Sequence, residues 1–264
     1  MTQKDIDLAH QLAEAAGEAI RPLFRGDWQA EQKDDYSAVT EADRAAEAAM
    51  RAILEAERPE DGIVGEEYGT TREGASRTWV LDPIDGTQSF VAGRPIFGSL
   101  IALMRDGWPV MGIIDQPILK ERWVGVLGKG TTFNGKPVST RRCRSLEGAS
   151  IATTSPHGFE EGEVDAYLRV VAKAYPKRPW PVYGGDCYNY GLLASGHLDV
   201  VIESGLKLHD YAALVPVVEG AGGMMSDWQG NPLDADSANS EGGRVLALGE
   251  PARLEDVLEA MGGE

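Results

Sequence analysis

Leu8, Leu12, Ala16 and Ile20, with Leu23 and Phe24 beyond them, recur at helical spacing, and Thr2 and Asp5 stand like a capping pair at the start. After a polar, irregular stretch at 26–37, a second helical pattern begins at Thr40, with Asp43 three residues on, and runs through Ala46, Ala49, Met50, Ile53 and Leu54. Shorter apolar runs follow. Ile63-Val64 reads as a short strand ending in Gly65-Glu66-Glu67, and Trp79-Val80-Leu81 as another that delivers Asp82 at its carboxyl end, where Pro83 is expected to stop the ladder. Residues 97–104 and 108–115, joined by Arg105-Asp106-Gly107, have the pattern of a hairpin, and a run at 121–126 and a turn at Phe133-Asn134-Gly135-Lys136 extend the meander. This pattern predicts helices packed on an antiparallel sheet.

Around 141–147 the sequence turns polar and charged, which suits a crossing between halves, so the chain divides into 1–142 and 143–264. Strand character resumes at 151–153, and 164–175 has a helical period through Val164, Leu168, Val171 and Ala172. Strand and helix then alternate through 180–183, 188–195, 198–202, 211–219, 224–227 and 245–248 to a last helix through Leu254, Val257 and Leu258. Such alternation predicts an α/β second half.

The 264 residues carry 25 basic and 42 acidic side chains, a formal net charge of −17, which argues against nucleic acid or an anionic membrane as partner. The two cysteines, Cys143 and Cys187, have no C-x-x-C spacing and are expected to be reduced thiols rather than a zinc site or a disulfide. No stretch approaches membrane-spanning length, and a cytoplasmic location is expected.

The stretch RTWVLDPIDGTQSF, 77–90, concentrates the candidate chemistry. Asp82 and Asp85 place two carboxylates within one turn, and Gly86 and Thr87 offer a flexible backbone and a hydroxyl where a helix could begin, a place suited to phosphate. Uncompensated, such carboxylates repel one another and a phosphate, so a divalent cation is the natural third component, and hard oxygen donors favour Mg²⁺. Asp-x-x-Asp-Gly could equally be a surface turn, and Thr40-x-x-Asp43 a helix cap with no further role. Adjacent strand residues face opposite sides, so only one of Glu66 and Glu67 is expected to point into a site.

Val39-Thr40-Glu41-Ala42-Asp43, Gly65-Glu66-Glu67, Asp82-Pro-Ile-Asp85-Gly86-Thr87 and Leu208-His209-Asp210-Tyr211-Ala212-Ala213, in this order and over nearly the whole chain, resemble the inositol monophosphatase-like family of Mg²⁺-dependent, lithium-sensitive phosphatases. The resemblance implies a layered αβαβα sandwich with two to three Mg²⁺ ions between the halves. It implies that Glu66, Asp82 and the Ile84 carbonyl hold one ion, and that Asp82, Asp85 and Asp210 hold a second. Gly86 and Thr87 would bind phosphoryl oxygens. Asp43 would hydrogen-bond Thr87, and the two would orient an attacking water. Li⁺ and Ca²⁺ would inhibit. Lys33 would lie near the phosphate, while His209 is left as structural. The family commonly forms dimers, and the large side chains of 97–104 and 108–114 exceed what a solvated meander needs, so a homodimer is expected.

A phosphatase of the haloacid dehalogenase type needs Asp-x-Asp, and Asp82-Pro-Ile-Asp85 is one residue too long. A non-catalytic metal-binding protein using the same acidic cluster is a further alternative. Within the family, the stretch 184–214, with Gly185-Asp186-Cys187-Tyr188 and Lys207-Leu208-His209-Asp210, resembles the histidinol-phosphate phosphatase branch more than the inositol branch. Gln88-Ser89-Phe90 departs from the inositol pattern too, although related histidinol phosphatases often carry a basic residue where Gln88 stands. L-Histidinol phosphate carries an ammonium and an imidazole, which favour carboxylate partners, and Asp186 and Glu203 are the candidates. Asp186 could instead cap a helix, and Glu203 could be an ordinary strand-end residue. Inositol-1-phosphate or another small sugar or nucleotide monophosphate is the alternative substrate.

Overall fold

The computed structural model describes residues 1–26, 31–32, 38–175, 177, 180–240 and 242–262. Helix α1 (Gln3–Ile20) begins where the Asp5 carboxylate accepts from the amide and hydroxyl of Thr2, at 2.8 and 2.9 Å. A two-residue ribbon follows, β1 (Glu31–Gln32) against β2 (Ala38–Val39), and then α2 (Glu41–Glu57). Its cap is reciprocal, since the Asp43 amide donates to the Thr40 hydroxyl at 3.2 Å and Asp43 Oδ2 accepts from the Thr40 amide at 2.8 Å.

Strands β3 (Gly62–Gly65), β4 (Gly69–Thr71), β5 (Arg77–Asp85), β6 (Gly98–Arg105), β7 (Trp108–Gln116), β8 (Glu121–Val126), β9 (Gly130–Phe133) and β10 (Lys136–Val138) form one sheet in the order β10-β9-β8-β7-β6-β5-β3-β4. It is antiparallel except for β3 beside β5. The β6–β7 hairpin turns through Asp106 and Gly107 at φ 50° and 83°, the paired positive values that match the strand twist. Between β5 and β6 lies the short helix α3 (Thr87–Val91).

The second half supplies β11 (Ile151–Thr153), α4 (Glu163–Ala174), β12 (Val182–Tyr183), α5 (Asp186–Ala194), β13 (Val200–Glu203), α6 (Leu208–Tyr211), α7 (Leu214–Gly220), β14 (Met224–Ser226), α8 (Ser237–Ser240), β15 (Val245–Leu248) and α9 (Leu254–Gly262). Its sheet runs β12-β11-β13-β15-β14, parallel through the first three strands and antiparallel after them.

Alternation along the strands sorts the core into layers. Trp79, Leu81, Ile101, Leu103 and Ile113 meet Leu12, Ala16, Met50 and Leu54 of α1 and α2 on one face of the large sheet. On the other face Val80, Leu100, Ala102 and Trp123 pack with Tyr190, Leu193, Leu214 and Val217 of the middle helices, which also cover Ala152, Val201 and Ala247 of the small sheet. Ile151, Ile202, Leu246 and Leu248 face outward onto Tyr167 and Val170 of α4 and Val257 of α9. The result is the αβαβα sandwich.

Two expectations need correction. Strand β5 does not end at Pro83: its register shifts between Asp82 and Asp85, after which Asp85 pairs with Gly98, and the Ser99 hydroxyl satisfies the Pro83 carbonyl at 2.7 Å. The chain thus absorbs a missing donor by bulging. Helix α4 buries Ala166, Tyr167, Val170 and Ala174, one position off the anticipated face, and leaves Leu168 exposed. The large side chains at 97–104 are buried on the two covered faces of the large sheet, while Trp108 at the start of β7 is half-exposed. No helix among the described residues is long and apolar enough to cross a membrane.

The middle layer is set by two glycines. A Cβ on Gly112 would lie 1.9 Å from the Ala213 carbonyl oxygen, and one on Gly125 would lie 2.2 Å from that of Pro216, so α7 rests on bare backbone of β7 and β8. Gly112→Ala is therefore expected to cost about 2 kcal/mol or more by forcing the layers apart. At Gly262, where nothing stands within 4 Å, Ala should stay within about 0.5 kcal/mol. Urea unfolding of the two variants checks the contrast.

Candidate active site

Side-chain alternation on β5 gives Asp82 the same outlook as Val80, toward the middle helices rather than toward α1 and α2. The bulge then brings Asp85 around, and Gly86, at φ 92°, turns the chain into α3. Asp85 Oδ2 accepts from the Cys187 amide at 2.5 Å, so this carboxylate caps α5 from another part of the chain. Asp210 arrives on α6, with Oδ2 held by the Lys207 amide at 2.7 Å. One oxygen each from Asp82, Asp85 and Asp210 lie within 4.8 Å of one another.

Glu66 and Glu67 stand just past β3, in a turn, and the strand rule that was expected to separate them does not apply there. Both offer an oxygen to one group with Asp43, within 4.8 Å. The turn is held by Glu47, fully buried on α2, whose carboxylate accepts from the amides of Glu67 (2.7 Å) and Tyr68 (3.2 Å) and pairs with Arg51 at 2.7 Å. The sequence reading passed over Glu47 because Glu-x-x-x-Arg on a helix looks like a surface ion pair. A third group joins Glu66 and Asp82 to a ring nitrogen of His209, which was left as structural. Asp43 and Thr87 do not bond to each other: Asp43 Oδ2 is taken by its cap, and the Thr87 hydroxyl donates to the Ile84 carbonyl at 3.1 Å. That carbonyl keeps a second lone pair.

Burial pushes Asp82 well above the usual carboxylate range, and repulsion from Glu66, Asp85 and Asp210 adds to it. Asp85 is raised by burial and then by Asp186 and Asp210, against its bond to Cys187. Asp210 is raised by burial, with His209 and Lys207 opposing. Asp43 is pushed up to about 7 by burial, against its two bonds to Thr40, with Glu66 and Glu67 adding repulsion. Asp43 Oδ1 and Asp82 Oδ1 are buried without any hydrogen-bond partner. Oxygen donors held together, raised by one another and left with unsatisfied acceptor atoms fit a hard divalent cation, which supplies the missing charge and coordination at once.

Asp186 and Glu203 meet in a cavity of about 210 Å³, lined also by Asp85, Asp210, Tyr190 and Leu206. Asp186 does not cap α5. It opens the helix at φ 42°, a left-handed value rare outside glycine, and its Oδ2 faces Gly86 and the Ser89 hydroxyl (3.4 Å). Burial raises it to about 6, with Ser89 and Arg94 opposing and Asp210 adding. Glu203 is more than a strand end: it is 4% exposed, takes the Thr154 amide at 2.6 Å and the Thr154 hydroxyl at 2.9 Å, and is raised by burial to about 7. The Tyr190 hydroxyl is buried there without a hydrogen bond. A neighbouring recess of about 380 Å³ shares Asp186 and Thr154 and is lined by Gly86, Thr87, Gln88 and Arg94. Arg94 was missed because a lone arginine in a loop carries no pattern. Lys33 lies outside the described residues. A larger recess of about 620 Å³ lies against α1, where Arg122 is paired with Asp115 at 2.6 Å and Arg21 with Glu14 at 3.0 Å.

The profile of the inositol monophosphatase family matches residues 1–257. The chain is 49% identical, over 96% of its length and 74% of the relative's, to the chloroplastic bifunctional phosphatase IMPL2 of Arabidopsis thaliana. It is 36% identical to the histidinol-phosphatase of Chlorobaculum parvum, over 94% and 98%. A solved inositol monophosphatase from Zymomonas mobilis, 52% identical, superposes with a TM-score of 0.88 over 99% of this chain and 98% of that one.

Asp43, Asp186 and Glu203 bind protons more tightly folded than unfolded, so the stability linked to them is full below about pH 4 and is lost as pH rises through about 6 to 7. Metal-free protein should melt lower at about pH 8 than at about pH 5.5, and millimolar Mg²⁺ should raise Tm more at the higher pH. Calorimetry with and without chelator checks both signs; a Tm indifferent to Mg²⁺ at the higher pH would count against a cation site.

Proposed function

The chain belongs to the inositol monophosphatase family, whose members are metal-dependent phosphatases, and on that premise we propose that it is a Mg²⁺-dependent phosphomonoesterase that converts L-histidinol phosphate to L-histidinol and phosphate. The observation that carries the substrate is the acidic cavity beside the carboxylate cluster, where Asp186 and Glu203 stand within one recess. A hydroxylated ring can donate hydrogen bonds to two buried carboxylates but leaves their charge uncompensated, whereas an ammonium or imidazolium both donates to them and neutralises them. Relatives named histidinol-phosphatase, at 35 to 36% identity, support the same choice.

Glu66, Asp82 and the Ile84 carbonyl would hold one ion, and Asp82, Asp85 and Asp210 another. When bound, divalent cations lower the pKa of a coordinated water and neutralise charge on the phosphoryl and leaving oxygens. Gly86 and Thr87 line the neighbouring recess, where their amides would bind phosphoryl oxygens with little reorganisation. Asp43, with Oδ1 unpaired, and Thr87 orient the attacking water. Asp186 receives the cationic end of the substrate, and the unpaired Tyr190 hydroxyl offers it a neutral partner. Glu203, three of whose contacts go to Thr153 and Thr154, contributes its charge more than a free lone pair.

Asp82→Asn should lower turnover by about a thousandfold or more, while the metal-free fold holds or gains stability because one repelling charge is gone. Near-normal turnover at millimolar Mg²⁺ would refute the assignment. Asp186→Ala should lower kcat/KM for histidinol phosphate by about tenfold or more and leave a generic aryl phosphate little changed. Phosphate release from L-histidinol phosphate and from inositol-1-phosphate, measured side by side, decides the substrate. Inositol-1-phosphate is the second candidate because of the 52% identity to the Zymomonas mobilis enzyme. If it is turned over more efficiently, the histidinol assignment fails and the phosphatase stands.

A further inference from the structure

His209 is not needed by the all-oxygen metal site just described, yet it sits against that site. One of its ring nitrogens and one oxygen each of Glu66 and Asp82 lie within 4.8 Å of one another. Its Nε2 is 3.6 Å from Asp210 Oδ1, beyond a hydrogen bond, and its side chain is only 13% exposed. Neither ring nitrogen hydrogen-bonds a described residue. A mostly buried imidazole normally spends its N–H on a carbonyl, a carboxylate or water. Beside it, Asp82 Oδ1 is buried without a hydrogen-bond partner.

The ring is placed rigidly. Tyr211, next in sequence, donates to the Asp234 carbonyl at 2.6 Å and accepts from the Ala238 amide, and the Ala213 carbonyl bears on bare Gly112. Helix α6 therefore has little freedom to carry His209 away from Glu66 and Asp82.

We propose that His209 is a direct metal ligand, so that this protein's two ion positions differ in chemistry. The position at Asp82, Asp85 and Asp210 is all oxygen and suits Mg²⁺. The position at Glu66, Asp82 and the Ile84 carbonyl gains an imidazole nitrogen as a fourth donor and takes a borderline ion, Mn²⁺ or Zn²⁺, in preference to Mg²⁺. The proposal rests on the cation-binding assignment above. It adds a ligand that the sequence motifs did not supply.

The test uses the whole protein and Mn²⁺ as its probe. Binding is first counted by the loss of the free Mn²⁺ resonance, and pulsed electron paramagnetic resonance then looks for nitrogen hyperfine coupling on the bound ion. The expected result is a coupling that takes the pattern of the heavier nitrogen isotope when histidine is supplied in that labelled form, an arm that needs no variant. In His209→Phe, checked for folding by circular dichroism, the coupling should vanish and Mn²⁺ affinity at one position should fall about tenfold, with Mg²⁺ affinity little changed. Bound Mn²⁺ without nitrogen coupling, or coupling that survives in His209→Phe, overturns the role of His209 and leaves the carboxylate site standing. Failure to bind Mn²⁺ at all overturns both.

Discussion

Buried carboxylates repel one another, and a fold that gathers them must hold each by something stronger than its own preference. Here the restraint is backbone. Asp82 is aimed by the pleat of β5, Asp85 by the bulge and the Cys187 amide, Asp210 by the Lys207 amide, and the Glu66–Glu67 turn by Glu47. The repulsion among these carboxylates is left to be balanced by charge from outside the chain, which is what a hard divalent cation would supply.

The layered architecture explains how four distant segments reach one point. The large sheet contributes the ends of β3 and β5, and the middle helices contribute the first turns of α5 and α6. Those helices are sandwiched between both sheets and share one apolar cluster with them, so the site sits where the two sheets press on a common layer. The carboxylate cluster and the acidic recess are consequently neighbours, and Asp85 and Asp210 belong to both.

Much of this was legible in the sequence because its signals are local. The caps at Thr2-Asp5 and Thr40-Asp43, the hairpin at Asp106-Gly107 and the strand before Asp82 each follow from a few adjacent residues. What escaped depends on residues far apart. Pro83 looked like a terminus because the Ser99 hydroxyl that rescues it comes from the next strand. Glu67 was set aside by a strand rule that its turn does not obey, and Glu47 looked solvated because the amides it serves are twenty residues on. His209 has no partner at ligand spacing in sequence; only the packing of α6 on β5 supplies one. The face of α4 slipped by one position because Tyr167 and Val170, not the more regular Val164 and Leu168, meet the small sheet.

The bond from the Cys187 amide to Asp85 ties the wall of the acidic recess to a carboxylate of the cluster. Under the proposed function, recognition and metal binding are therefore not modular. A graft that exchanges the start of α5 for that of a relative, made only to change the substrate, would also reset the orientation of Asp85. Altered specificity and altered ion demand should be inherited together, and a lineage exploring new phosphate esters through this helix would be steered by which metal its surroundings provide.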